Sequence, residues 1–457
     1  MDALASLNAA QREAVEACGG PLLIIAGPGS GKTRVITNRI AHLIASCGVN
    51  PRDILAVTFT NKAAREMKER LECDLGHVAD SLSIGTFHAI CCRILRADGR
   101  AIGLSRGFVI YDDDDQVNLI KQSLTELKLD PKQYPPRLIQ SSISAAKSRM
   151  QSEQHHAEGV DSYFEEIVQR VYRHYQSLLS QSDAVDFDDI LLKTVQLLES
   201  QPEVLAHYQS RYQHVLVDEF QDTSDLQWRV LENLVDEVVQ DDSGRRSLFY
   251  VGDVKQAIYG WRGGNPRLFD VPLTRYPGQI EVLPLHESFR SCPAIMDTVN
   301  RTFGDLSGSG LPPQAVERWQ RYWEPHRSAQ HLEHVEGFAT ILEPPCDGGS
   351  LTPSAEDRYR LVAQLLNDMH PVSRGLTAAV LVRSNDQGRA VVDLLRAECP
   401  GMTVIHEGRA AIKDNPLVAV LMALVTFATH PGDMFAWRHL QMSPLVEVLD
   451  RLHLDRD

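Results

Sequence analysis

The stretch that most constrains this chain is Ala26-Gly27-Pro28-Gly29-Ser30-Gly31-Lys32-Thr33, a glycine-rich turn between an uncharged apolar run and a helix-patterned segment. Leu22-Leu23-Ile24-Ile25 reads as a buried parallel strand, and Val35, Ile36, Ile40, Leu43 and Ile44 recur at helical spacing after the turn. Strand, glycine turn and helix together make a phosphate cradle. Small residues let successive backbone N–H groups turn toward one anion, and the helix N-terminus adds its dipole. Lys32 reaches the β and γ phosphates from this position, and the Thr33 hydroxyl is placed to hold Mg2+. Ala26 stands where the strict pattern has glycine, a mild departure because a methyl group still permits a tight turn.

Other apolar runs alternate with helical patterns. Ile54 to Phe59, Leu82 to His88, His214 to Val217, Ser247 to Val251 and Ile280 to Leu283 read as strands of a parallel, doubly wound sheet. Lys32 and Asp218 lie much further apart than a compact nucleotide fold requires, so the helix-patterned region from 93 to 185 is expected to be an insertion. Its stripe of Phe164, Ile167, Val168, Val171, Tyr172, Tyr175, Leu178 and Leu179 fits one helix face. Asp112 to Asp115 resemble a cation site at first sight, but aspartates ahead of Val117 and Leu119 serve better as a helix cap. Beyond residue 291 a second α/β pattern begins, with Phe338 to Leu342, Ala378 to Val382 and Met402 to Ile405 as expected strands.

The chemistry follows from the strand ends. Asp218, after His214-Val215-Leu216-Val217, is expected as the second Mg2+ ligand, and Glu219 as the group that aligns an attacking water. In Gly252 to Gly264, Gln256 and Arg262 are candidates for sensing a γ-phosphate, while Tyr259 and Trp261 present faces on which single-stranded bases can stack. Gln11 carries a donor and an acceptor that suit an adenine edge, although taken alone it reads as a surface glutamine.

Composition narrows the partners. The 457 residues carry a net charge of −15, against coating nucleic acid through a general basic field, so phosphate contacts must come from local patches such as Asn61 to Arg70. Eight cysteines contain no C-x-x-C pair, which argues against a zinc ribbon or a disulfide framework and for reduced thiols. The N-terminus lacks a basic leader pattern and no apolar run approaches the ~20 residues of a membrane span. A cytoplasmic location without membrane contact is expected.

The ordered set Leu7-Asn8-x-x-Gln11, the phosphate turn, Thr58 to Ala64, Gly85 to Ala89, Asp186 to Asp189, Val217 to Asp222, Gly252 to Gly263 and Ser288-Phe289-Arg290-Ser291 resembles the superfamily 1A DNA helicases of the UvrD, Rep and PcrA group. Val254 to Tyr259 is closer in wording to the related RecB and AddA subunits. The resemblance implies an α/β fold: a RecA-like P-loop NTPase sheet domain over 1–92 and 186–288, a helical insertion over 93–185, and an incomplete second RecA-like domain over 289–430. Residues 431–457 would begin a further helical insertion. It also implies ATP and Mg2+ as cofactors, with Gln11 reading adenine, Phe289 stacking on it, Arg34 near the nucleotide and Arg290 at the γ-phosphate. Phe59, Asn61, Thr86, Phe87, His88, Tyr259 and Trp261 would line a single-strand track. Single-stranded DNA, single-strand to duplex junctions and a nuclease or repair protein are the implied partners, and ATP-driven 3′ to 5′ translocation with DNA unwinding in repair or recombination the implied activity, the alternative being a nucleotide-gated DNA-binding or regulatory subunit that does not unwind. The family's last motifs find no counterpart between 300 and 457, so the chain is expected to be a fragment with impaired activity alone.

Overall fold

The computed structural model describes residues 4, 7–17, 19–151, 162–241, 243–344, 352–406, 416–429 and 434–446. The chain divides into two compact units, Met1–Ala339 and Thr340–Asp457, so residues 289–339 pack with the first unit although the sequence pattern placed a boundary at 288.

In the first unit the elements run α1 (Ala9–Glu16), β1 (Gly20–Ala26), α2 (Lys32–Ala45), β2 (Ile54–Thr58), α3 (Asn61–Leu75), β3 (Ser83–Thr86) and α4 (Phe87–Asp98). There follow β4 (Val109–Ile110), α5 (Asp113–Glu126), α6 (Pro136–Ser148), α7 (Tyr163–Gln181), β5 (Ala184–Val185), α8 (Phe187–Ser200) and α9 (Pro202–Arg211). The sheet resumes with β6 (His214–Val217), α10 (Asp225–Val239), β7 (Ser247–Gly252), α11 (Val271–Arg275) and β8 (Glu281–Leu285). The unit then adds β9 (Glu287–Ser288), α12 (Pro293–Phe303), α13 (Pro313–Tyr322) and β10 (Arg327–Ser328).

Six strands form one sheet in the order β3-β2-β6-β7-β1-β8, every pairing parallel. Two-residue alternation along the strands divides the core. Leu22, Ile24, Ile54, Ala56, Leu216, Phe249 and Val251 face the layer with Val35, Ile36, Ile40 and Met67. Leu23, Leu55, Val57, Val215, Val217, Leu248 and Tyr250 face the layer with Ile90, Ile190, Leu191, Leu231 and Val235. Burial on both faces explains why these strands read as unbroken apolar runs. Pro284 is tolerated in β8 because that strand is an edge.

The helices between α4 and α8 form their own core, in which Ile167, Val168, Val171, Tyr172, Tyr175 and Leu179 of the stripe read from the sequence pack against Leu119, Ile120, Leu124, Ile139 and Ile143, with Phe164 and Leu178 at its margin. The short parallel pair β4–β5 closes the base of this insertion. Asp112 caps α5 by accepting from the backbone N–H groups of Asp114 and Asp115, as its sequence position suggests. A buried ion cluster joins the insertion to α8: Lys147 Nζ lies 2.6 Å from Asp186 Oδ2 and 2.8 Å from Asp189 Oδ1. Tyr175 donates its hydroxyl to Asp186, and Gln176 donates to Asp189. Although burial opposes its charge, the carboxylates of Asp189 and Asp186 hold Lys147 protonated above the ordinary lysine range.

In the second unit α14 (Ala355–Met369) and α15 (Asn385–Glu398) pack through Ala363, Leu366, Val391 and Leu395. Helices α16 (Pro416–Thr429) and α17 (Met434–Gln441) pack through Ala423, Trp437 and Leu440. The expected strands at 338–342, 378–382 and 402–405 form no ladder among the described residues, and Ile341 and Leu381 are 93% and 96% exposed. Their apolar character suits a sheet interior, but a strand without paired neighbours on both sides gains too little to order. Cys47 is disulfide-bonded, so the expectation of reduced thiols fails there; Cys73, Cys91, Cys92, Cys292 and Cys399 are free. No helix among the described residues is long and apolar enough to cross a membrane.

Candidate functional site

The site is assembled at the carboxyl ends of the parallel strands, where a doubly wound sheet leaves its ligand crevice. Ala26 closes β1 in the core, and the turn Gly27 to Gly31 leads into α2. Gly29 and Gly31 have φ of +74° and +87°, a left-handed backbone that favours glycine. Gly31 gives α2 no side-chain cap, so the orphan N–H groups of its first turn remain for an anion. Pro28 is half-buried, and the Ser30 hydroxyl donates to the Gly27 carbonyl at 2.8 Å, bracing the turn from within.

Lys32 is largely buried and its Nζ stands 3.9 Å from Glu219 Oε2. Thr33 donates its hydroxyl to Asp218 Oδ2 at 3.4 Å. Burial, reinforced by the Glu219 carboxylate, pushes the Asp218 carboxyl up to about 7. A carboxylate oxygen facing a threonine hydroxyl at a helix N-terminus offers the hard oxygen donors Mg2+ prefers, and the cation would hold that carboxyl ionised against its burial. The residues fit the ion: Thr33 and Asp218 would hold it, and it would supply positive charge against the phosphates. Glu219 has φ of +50°, a left-handed conformation that costs energy for a non-glycine residue and aims its carboxylate toward Lys32 rather than along the strand.

Around this centre the expected nucleotide contacts are partly pre-engaged. Gln11 is buried, not a surface residue: its Nε2 donates to the Ser30 carbonyl at 2.8 Å and its Oε1 accepts from the Asn8 N–H. Both ends of the amide pair that would read adenine are therefore occupied by the chain. Phe289 donates its N–H to the Gly29 carbonyl at 2.9 Å, and its ring stacks on His331 with centroids 5.8 Å apart. A side chain at Gly29 would meet Ser288 Oγ and Arg290 Cβ, so this segment lies directly on the phosphate turn. Arg290 and Arg34 are exposed.

The sensor segment begins where β7 ends. Gln256 donates to Asp253 Oδ2 at 2.8 Å, and Lys255 Nζ sits 3.1 Å from Asp253 Oδ1. The side chain of Arg262 lies outside the described residues. Tyr259 is half-buried between Phe59, at 4.5 Å between ring centroids, and Trp261, at 6.2 Å. Trp261 is 74% exposed, so these rings form an accessible row rather than a sealed core. Asn61 is exposed at the start of α3. His88 is half-buried, its ring packs edge-on to Phe187 at 6.1 Å, and burial lowers its basicity.

Of the expected track residues, Phe87 is otherwise employed and Thr86 also serves as a helix cap. Phe87 is 5% exposed and belongs to the core beneath the sheet, because the first residue of α4 turns its side chain inward. Thr86 caps α4, its hydroxyl accepting from the Ala89 N–H at 3.3 Å. Sequence reasoning also passed over Gln221, which is buried between three partners: its Nε2 donates to Glu219 at 2.7 Å and to Asp222 at 3.3 Å, and its Oε1 accepts from the Asp253 N–H at 3.0 Å. Its place two residues after Glu219 was a signal only in retrospect.

Residues 7–275 match the model of the UvrD/REP helicase N-terminal domain. The ATP-dependent DNA helicase PcrA of Leuconostoc citreum is 36% identical over 96% of this chain and 54% of its own length. That of Bacillus subtilis is 34% identical over 96% of this chain and 56% of its own, and that of Staphylococcus aureus 40% identical over 84% and 49%. The chain spans about half the length of the curated relatives it matches. On the extent of the family match, the phosphate turn of β1 and the acidic end of β6, this chain belongs to the UvrD/REP helicase family.

Proposed function

We propose that this chain is the nucleotide-driven portion of an ATP-dependent DNA helicase that moves 3′ to 5′ along single-stranded DNA. The observation that carries this reading is the convergence of Lys32, Thr33, Asp218 and Glu219 at the carboxyl ends of β1 and β6, with the row of Phe59, Tyr259 and the exposed Trp261 reached from the neighbouring strand ends. Lys32 and the uncapped N-terminus of α2 bind the phosphates, Thr33 and Asp218 hold Mg2+, and Glu219 aligns water for attack on the γ-phosphate. Arg290, Gln256 and Arg262 supply γ-phosphate contacts; Arg34 serves the base, as do Gln11 and Phe289 once the nucleotide displaces the contacts those two make here. Asn61, Thr86 and His88 border the strand track.

The working substrate is single-stranded DNA and its junctions with duplex, in the cytoplasm, with a nuclease or repair protein as the class of partner. Sequence-independent stacking on three rings suits a translocating protein, since every base presents a π face. Steady-state ATP hydrolysis with and without an oligothymidylate tests the reading. Hydrolysis stimulated by the oligonucleotide and abolished in both Lys32→Ala and Glu219→Gln is expected. Undiminished turnover in either variant overturns it.

A further inference from the structure

We propose that Gln221 is a positioning residue that transmits the state of the nucleotide site to the base-stacking loop. The inference rests on the function proposed above and adds a group to it. Gln221 is buried, and its amide joins Glu219 directly to the segment that begins at Asp253. Lys32 faces Glu219, Glu219 accepts from Gln221, Gln221 accepts from the Asp253 N–H, and Asp253 accepts from Gln256. Tyr259 and Trp261 follow within the same loop.

A second branch reaches the loop's backbone. Gln221 Nε2 also faces Asp222, whose carboxyl is pushed up to about 6 by burial and the nearby Glu219, against the pull of the Tyr259 and Ile258 N–H groups. Ser224 bridges Gly264 from the other side, so the loop is held at both ends by the segment that carries Gln221. The two amide hydrogens are divided between Glu219 at 2.7 Å and Asp222 at 3.3 Å, so the amide is drawn closer to Glu219. When Glu219 turns toward a water and the γ-phosphate, Gln221 is released toward Asp222 and Asp253, and the loop responds.

The neighbouring strand is shaped for this. A methyl group at Gly252 would stand 2.3 Å from Gln221 Oε1, so glycine there lets the amide approach β7. Gly252 is not in a left-handed conformation, and alanine is therefore excluded by the amide and its surroundings rather than by backbone geometry.

Hydrogen exchange across 252–264, measured on the whole chain with and without Mg-AMP-PNP, tests the relay without relying on DNA or turnover. The wild type is expected to show nucleotide-dependent protection at Ile258 and Tyr259, by about fivefold or more for a coupling of ordinary size. Gln221→Glu keeps the acceptor for Asp253 but loses the donor to Glu219, and Gly252→Ala displaces the amide. Both are expected to bind a fluorescent ATP analogue within about threefold of wild type while losing that protection, and thermal unfolding checks that each is folded. Unchanged protection in a folded Gln221→Glu, or none in a nucleotide-bound wild type, overturns the relay. Failure of the wild type to bind the analogue overturns the proposed function, and the relay with it.

Discussion

Replacing Trp261 by alanine isolates the stacking row from everything else in the chain. The side chain is 74% exposed and meets Tyr259 at 6.2 Å, so the fold loses little when it is removed. Surface changes of this kind alter stability by roughly 0.5 kcal/mol or less. A base stacked on such a ring contributes about 1–3 kcal/mol, equivalent to roughly 5- to 150-fold in affinity. Fluorescence anisotropy of a labelled oligothymidylate at fixed salt reads this directly, salt being held because phosphate contacts vary with it. Trp261→Ala is expected to weaken binding within that range with an unchanged unfolding midpoint, and Trp261→Phe to recover most of the loss. Equal affinities for wild type and Trp261→Ala would refute the assignment of the row to DNA.

Other perturbations test different parts of the molecule. Lys147→Met leaves Asp186 and Asp189 buried without their cation, and is expected to lower unfolding free energy by about 3–5 kcal/mol in urea titration. Gly29→Ala places a methyl against Ser288 Oγ and Arg290 Cβ at a φ of +74°, and is expected to abolish binding of a fluorescent ATP analogue while the protein stays folded. Burial and the Arg39 cation lower His214 to about 4 from 6.5, so the unfolded chain takes up its proton first as pH falls. The stability it contributes is complete above about pH 6.5 and is lost progressively toward pH 4, a slope expected to be absent from His214→Gln and therefore to appear in the difference between wild type and that variant.

Much of the first unit was legible because parallel strands buried on both faces carry unbroken apolar runs, and His214 to Val217 matches its strand residue for residue. The insertion followed from the distance between Lys32 and Asp218, and the phosphate turn from its glycines. Tertiary facts were less accessible. Whether Phe87 faces solvent depends on how α4 lies against the sheet, and the burial of Gln11 depends on the Ser30 carbonyl presented by a turn distant in sequence. Gln221 draws its meaning from Gly252 and Asp253 on another strand, a relation that no local spacing encodes. In the second unit, apolar runs such as Ala378 to Val382 have strand composition, but composition alone does not provide the ladder that orders them.

The nucleotide site and the stacking row are expected to be energetically linked. The affinity of the chain for an oligothymidylate, measured with and without saturating Mg-AMP-PNP, tests it most directly. A change of about 5-fold or more, with the reciprocal change in analogue affinity when DNA is bound, is expected. Identical affinities in the two states would contradict it, whatever the turnover of the chain.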